Sequence, residues 1–454
     1  MPLTRATWLM RTAILVTSLL WLLAPMPPVA QEAPQGQLGP APRLPPEALK
    51  EPETARAPLG VESLSLVDPG DRHSVVNLYQ NVYVPAHATP NDWNGSVAGC
   101  NAGTTGVAYE NATLDMVNFF RAMVELPPVV FEVVKNNKSQ QAALMMTANN
   151  SLSHFPPASW TCYTADGAEA AGKSNLALGV AGAPAVALYI HDPGAGNTAV
   201  GHRRWILFPR QVQMATGSTS NANALWVIDA FGTRPTTPEI VAWPPVGFVP
   251  YQIVYPRWSF SVNTGSAVSF TGASVSVMRG SDPVALNLLT NATGFGDNTL
   301  VWEPSGLSFG AGMSDQFFTV HVNNVTVGGV PRNFTYPVTV IDPAAVPPPT
   351  FTDHPLLPGV TAVKGVHITE LRSAIGVLRT RYGLPAFPWT DATLTQGVTV
   401  VKAVHLAELR TALAQAYTTA GLAPPVYSTV TIAPGVTIAA GHITELRAAV
   451  LALW

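Results

Sequence analysis

The sequence predicts an α+β protein of three folded parts: a mixed α/β layered domain, an antiparallel β-sandwich, and a C-terminal module of helical repeats. Three observations carry this. Between residues 68 and 231, helical periodicity alternates with short β-rich runs. Between 238 and 343, apolar residues recur at every second position. From 359 to 454 one residue pattern returns three times.

In the mixed region, Met116, Phe119, Phe120 and Met123 fall at i, i+3, i+4 and i+7, and Asp115 is placed to favour a helix N-terminus. A second helix is expected over 130–149, ending in Ala142-Ala143-Leu144-Met145-Met146. A Ser/Pro-rich turn follows, then an aromatic strand at Trp160-Thr161-Cys162-Tyr163 and an Ala-rich helix near 183–190. β-like runs appear near 205–208 and 225–228. Helices and strands mixed at these lengths pack as layers.

The sandwich expectation over 238–343 rests on period-two alternation. It runs through Trp258, Phe260 and Val262, through Ala273, Val275 and Val277, through Phe318, Val320 and Val322, and through Phe334, Tyr336, Val338 and Val340. The aromatic junction from Trp243 to Phe248 is unlike a free linker and predicts packing against the preceding domain. A Pro-rich linker spans 344–358.

The repeats read Gly359-Val-Thr … His367-Ile-Thr-Glu370-Leu-Arg372, then Gly397-Val-Thr … His405-Leu-Ala-Glu408-Leu-Arg410, then Gly435-Val-Thr … His442-Ile-Thr-Glu445-Leu-Arg447. Their histidines lie 38 and then 37 residues apart. Apolar residues at helical spacing predict one amphipathic helix per unit and a core shared by the three. The recurring His-x-x-Glu has two readings. One is a capping box at the helix start; the other is a metal site, which two ligands per unit would not complete.

The N-terminus carries an export signal. Arg5 and Arg11 precede an uncharged apolar run over 13–24, prolines break it, and Ala30 is suited to cleavage before Gln31. The run is short for a membrane span, although a retained anchor is the alternative. Residues 31–67 are rich in Pro, Ala, Gln and Glu and read as a disordered tether. With 11% charged residues and a net charge of −3, nucleic acid is not an expected partner. Cys100 and Cys162 are the only cysteines. In an exported chain they are expected to form one disulfide, closing a loop of about sixty residues for about 3–4 kcal/mol; two free thiols are the alternative.

Candidate chemistry gathers on His154, on His202 in Gly201-His202-Arg203-Arg204, and on His191-Asp192. Neutral imidazoles with a nearby carboxylate suit zinc or another divalent ion. Arg203 either contacts an anionic ligand or pairs with surface acids and stacks on Trp205. Trp160 and Tyr163 read as core or cleft-wall aromatics rather than a carbohydrate platform.

The order of a long helix, Leu152-Ser153-His154, Trp160-x-Cys162-Tyr163, Ser174-Asn175-Leu176 and Gly201-His202-Arg203 resembles the CAP superfamily, that of the cysteine-rich secretory, antigen 5 and pathogenesis-related 1 proteins, in its bacterial form. The resemblance covers about 68–231. It implies an αβα sandwich whose cleft carries two histidines and two acids, with His154 and His202 as the histidines. The family's Gly-Glu-Asn is replaced by Lys173-Ser174-Asn175, so Ser174 stands where the first carboxylate belongs. The second acid falls near Asp192, and Glu169 is a further candidate. Hydrolysis needs a positioned carboxylate. The preferred reading is therefore a secreted protein whose cleft, with His154, His202, Ser174, Asn175 and Arg203, binds a small ligand, lipid, peptide or envelope component. A metal-assisted hydrolase of peptide or cell-wall material using His154, His202, His191, Asp192 or Glu169 is the alternative. A structural spacer is a third reading.

Overall fold

The computed structural model describes residues 36–49, 67–289, 291–345, 349–353, 355–357, 360–395, 398–420, 422–429 and 438–454. The expected signal over 1–30 lies outside them. The chain divides into two compact units after Ala345.

In the first unit, strands β1 (Gln37–Leu38), β2 (Val130–Phe131), β3 (Ser174–Leu178), β4 (Gln213–Ser218) and β5 (Ala222–Trp226) form one sheet in the order β1-β3-β5-β4-β2. Among the described residues, seven α-helices accompany it: α1 (Arg72–Leu78), α2 (Val84–Ala88), α3 (Val107–Met123), α4 (Val133–Asn149), α5 (Ala165–Lys173), α6 (Gly182–His191) and α7 (Gly201–Ile206). One face of the sheet packs Leu176, Leu178, Ala224 and Trp226 against Ala142, Ala143 and Met146 of α4 and Ala170 of α5. The other sets Ala177 and Leu225 in a core with Met116 and Phe120 of α3 and Val186 and Ile190 of α6. Strand alternation sends consecutive residues to opposite layers, so both faces must be apolar, as they are.

Helix α4 lies unusually close to β4. A Cβ on Gly217 would stand 2.1 Å from the Gln140 backbone nitrogen, so only glycine fits there. The proximity lets Gln140 accept from Ser218 N–H at 2.9 Å and Asn136 accept from Thr216 N–H at 2.8 Å, so helix side chains complete the strand's hydrogen bonding. Cys100 and Cys162 form a disulfide.

Several local expectations are corrected. Helix α3 starts eight residues ahead of Asp115, because Glu110 supplies the first-turn acid. Residues 160–163 form turns, with Trp160 N–H on Pro157 O and Tyr163 N–H on Trp160 O. The apolar run at 205–208 begins inside α7; a short buried run has the same composition in either state. Residues 36–49 of the expected tether are built into the fold, through main-chain pairing with β3 and through Leu38, Ala41, Leu44 and Leu49, which pack on the core.

Strands β6 (Ile240–Trp243), β7 (Gly247–Pro250), β8 (Trp258–Val262), β9 (Val268–Ser269), β10 (Ser274–Arg279), β11 (Asp282–Val284), β12 (Leu286–Leu288), β13 (Leu300–Pro304), β14 (Gln316–Val327) and β15 (Val330–Ile341) make two further sheets. Their orders are β11-β10-β14-β15-β7, with β9 on β14, and β12-β13-β8-β6. Trp258 meets Phe318 and Phe260 meets Phe334 and Tyr336 across the gap between the sheets. The long β14–β15 hairpin turns through Gly328 and Gly329, both at positive φ, as a two-residue turn of matching twist requires. One pair departs from the antiparallel expectation: β7 runs parallel to β15. These sheets share a core with the preceding layers, and Phe120 of α3 packs edge-on to Trp243 at 5.3 Å. The junction therefore packs on the preceding part, as its aromatics suggest.

The second unit holds α8 (Gly365–Arg381), α9 (Ala403–Thr419) and α10 (Ala440–Leu453), with Ile368, Leu371, Ile375, Leu406, Leu413, Ile443 and Val450 in one core. The capping differs in detail from the expectation. His367, His405 and His442 are themselves the N3 residues, and each Nδ1 accepts the cap residue's N–H at 3.2 Å. The glutamates reach elsewhere: Glu370 accepts from Thr352 N–H and Glu408 from Thr390 N–H.

Candidate functional site

Helix α6 ends where Asp192 turns left-handed at φ 52°, and α7 begins after Val200, also left-handed at φ 46°. The loop between them folds Asp192 back onto the start of α7. Its Oδ2 accepts the His202 backbone N–H at 2.9 Å, and its Oδ1 lies 2.7 Å from His202 Nδ1. Both side chains are fully buried. Nδ1 donates to the carboxylate, so that only Nε2 is left to meet another group.

The His202 ring stacks on Tyr189 at 5.7 Å. The Tyr189 hydroxyl donates toward Asn175 O at 3.1 Å and Asn223 Oδ1 at 2.9 Å, and burial holds this phenol well above its usual range. Asn175 Nδ2 donates to His202 O at 3.1 Å. Strand β3 and helix α7 are thereby joined through one amide. At this junction His202 Nε2 and Asn175 Oδ1 are buried with no hydrogen-bond partner, as is Ser174 Oγ next along the strand.

His154 stands on the loop after α4. Its Nδ1 is 2.7 Å from Ala171 O, and its Nε2 is 2.7 Å from Pro40 O. Both partners are carbonyl oxygens, and with each nitrogen so engaged neither is open to a metal ion.

The remaining candidates lie elsewhere. His191 stacks on Tyr255 at 4.9 Å, and burial, with Arg203 nearby, lowers its pKa to about 4. Glu169 is exposed on α5 between Lys138 at 2.7 Å and Lys173 at 2.8 Å, whose hydrogen bonds hold its pKa down to about 2. Arg203 borders only a small cavity of about 20 Å³, with Arg204, Phe208 and Ser259. It is buried, donating to Ile190 O at 2.6 Å, Arg257 O at 2.8 Å and Ser259 Oγ at 3.0 Å, and so ties α7 to β8. Trp160 and Tyr163 border a separate open depression of about 810 Å³ beside the disulfide, with Asn94, Asn101 and Gln140.

The structure thus gathers Asn175, Asp192 and His202; Ser174, one residue along β3, points to the opposite face of the sheet, and Glu169 lies apart on α5. Among the described residues, no group of three His, Cys, Asp or Glu side chains is placed to hold a metal ion. The donor set does not fit zinc in this arrangement. His154 has both ring nitrogens on carbonyls, His202 leaves only Nε2 open, and Glu169 is held by two lysines, which do not make a tetrahedral site.

One occupant of the site went unread in the sequence. Residues 36–49 cross the sheet edge beside β3. They meet His154 through Pro40, and Trp205 of α7 donates its indole N–H to Pro42 O at 2.7 Å. A buried tryptophan needs an acceptor, but composition alone does not say which carbonyl supplies it.

Helices cover both faces of the sheet, and a buried histidine is held against β3, the strand next to its edge. Residues 114–229 match the family model described as CAP, the cysteine-rich secretory protein family, and the central region is a CAP superfamily domain. No curated protein matches the chain. Residues 36–49, Cys100 and both later modules lie outside the matched segment.

Proposed function

We propose that this chain is a secreted protein whose CAP domain binds a ligand without cleaving it, the later sheets and helices being accessory modules. The observation that carries this is the pair of unpartnered buried atoms His202 Nε2 and Asn175 Oδ1. A buried polar atom left unpaired costs about 1–3 kcal/mol, which a hydrogen-bonding ligand recovers. The carboxylate that would turn such a site toward proton transfer is replaced by Ser174, and Asp192 is consumed in holding His202. The N-terminal charge and apolar pattern and the disulfide support export to an oxidising compartment.

The test is native mass spectrometry of the secreted full chain after incubation with soluble peptidoglycan fragments and with phospholipids, alongside an assay for released amines and reducing sugar. Retention of a ligand mass that the His202→Gln chain loses is expected, with no histidine-dependent release. Release that requires both His202 and added zinc would establish the metal-assisted hydrolase instead.

A further inference from the structure

An extended segment of the chain itself already lines the edge of the CAP-domain sheet. Gln37 and Leu38 pair antiparallel with Leu178 and Ala177, making β1 the edge strand beside β3. Continuing that register carries Pro40 alongside Asn175 and brings Ala41 to the start of β3. His154 Nε2 meets Pro40 O at 2.7 Å. Ala41 is buried, and a Cβ placed on Gly201, the neighbour of His202, would lie 2.7 Å from the Ala41 Cβ. Trp205 Nε1 donates to Pro42 O at 2.7 Å. Beyond this, Arg43 lies over the Phe295 ring at 4.8 Å, and Leu44 N–H donates to Gly294 O at 3.0 Å.

The manner of recognition is informative. The CAP-domain side chains His154 and Trp205 read main-chain carbonyls, and the side chain seated against Gly201 is a methyl group. Pro40 and Pro42 present carbonyls but no N–H, so an edge that supplies donors rather than acceptors leaves no group of theirs unsatisfied. Fixed proline φ also keeps the segment extended before it docks, which lowers the ordering cost. Strand addition at a sheet edge followed by an x-Pro-Ala-Pro stretch combines two general modes of peptide capture.

We propose that this groove is a binding site for extended, proline-containing peptides, and that residues 37–44 are its intramolecular occupant. The inference rests on reading the CAP domain as a binding domain and names its ligand class. A tethered occupant acts at an effective concentration on the order of millimolar, so an external peptide of micromolar affinity is excluded until the strap leaves. Displacement of the strap makes β3 the free edge and exposes His154 Nε2, Gly201 and Trp205 Nε1 to a second peptide of the same kind.

The experiment uses the full secreted chain and a fluorescein-labelled synthetic peptide with the sequence of residues 36–46, followed by anisotropy. In one variant, Ala41→Asp places a charge against Gly201 and expels the strap. In a second, Pro40→Gly/Pro42→Gly loosens it without burying anything new, so a folding failure of the first leaves the test intact. Peptide affinity at least tenfold above that of the unaltered chain is expected for a folded opened variant, with most of the gain lost on adding His154→Ala. A peptide of scrambled order is expected to bind no better than to the unaltered chain. Failure of both folded variants to bind the peptide, or equal uptake of the scrambled one, would overturn the proposal. Neither result touches the His202-dependent ligand retention, which stands or falls on its own measurement.

Discussion

The Asp192 carboxylate grips His202 twice, at the backbone N–H with one oxygen and at Nδ1 with the other. The same residue ends α6 by adopting φ 52°. Asp and Asn tolerate this left-handed turn better than other non-glycine residues, so one side chain stops a helix and orients the buried histidine.

Separating these two roles is the first prediction. Asp192→Asn keeps the turn and one acceptor and is expected to cost about 1–3 kcal/mol. Asp192→Ala loses both acceptors and strains the turn, for a cost on the order of 3 kcal/mol or more. Guanidinium unfolding midpoints read the difference, and equal losses in the two variants would show that the carboxylate does not anchor the ring.

The second prediction concerns acid. His191 titrates near 4 in the folded chain against an ordinary 6.5, chiefly because it is buried against Tyr255, with Arg203 and Arg257 opposing its charge and Asp192 favouring it. The folded state therefore prefers the neutral ring. The stability this provides is complete above pH 6.5 and drains away as the pH falls toward 4, by at most about 3 kcal/mol since the ring keeps some solvent contact. His191→Phe preserves a ring against Tyr255 and removes the proton. Its melting temperature is expected to fall less steeply than that of the unaltered chain between pH 6.5 and 4; parallel curves would refute the assignment.

The features legible in the sequence were those written in side-chain periodicity. Helix α4, the long β14 and β15, and the three repeat helices all appear where their apolar spacing places them. The pairing of His202 with Asp192 was within reach, because a histidine and an acid separated by a Gly/Asn-rich loop have few other partners. The strap was not, because its isolated apolar residues, Leu38, Ala41 and Leu44, follow no helical or strand period and much of its hold runs through main-chain carbonyls. Arg203 misled for a related reason. Guanidinium groups near a histidine suggest an anion site, yet three backbone carbonyls and Ser259 already absorb this one. Nor does local alternation reveal that β8 is covered on both faces, burying Ser259 and Ser261 as well as the apolar residues between them.

The last prediction follows from how the repeats close. Arg372 of the first unit lies 3.5 Å from Glu408 of the second, and Arg410 of the second lies 3.8 Å from Glu445 of the third. Arg447 of the third returns to Glu370 of the first at 3.3 Å. Each arginine also lies over an aromatic ring of the unit it reaches: Trp389, Tyr427 and Phe351 in turn. Arg447 further donates to Thr352 O at 2.9 Å. Three units joined in this cycle have no terminal repeat, unlike an open stack in which each contacts only its neighbours in sequence. Arg447→Ala breaks the closing contact and leaves Glu370 without its partner from the third unit. In an open stack the damage would stay in α9 and α10. In the cycle it reaches the Phe351–Thr352 turn, 95 residues earlier in the chain. Hydrogen exchange on the full chain is expected to quicken at the Thr352 amide by tenfold or more. Exchange at Thr390, whose amide is held by Glu408 in the unit that Arg447 does not touch, is expected to change far less. Unchanged protection at Thr352 would mean that the ring is not closed by this arginine.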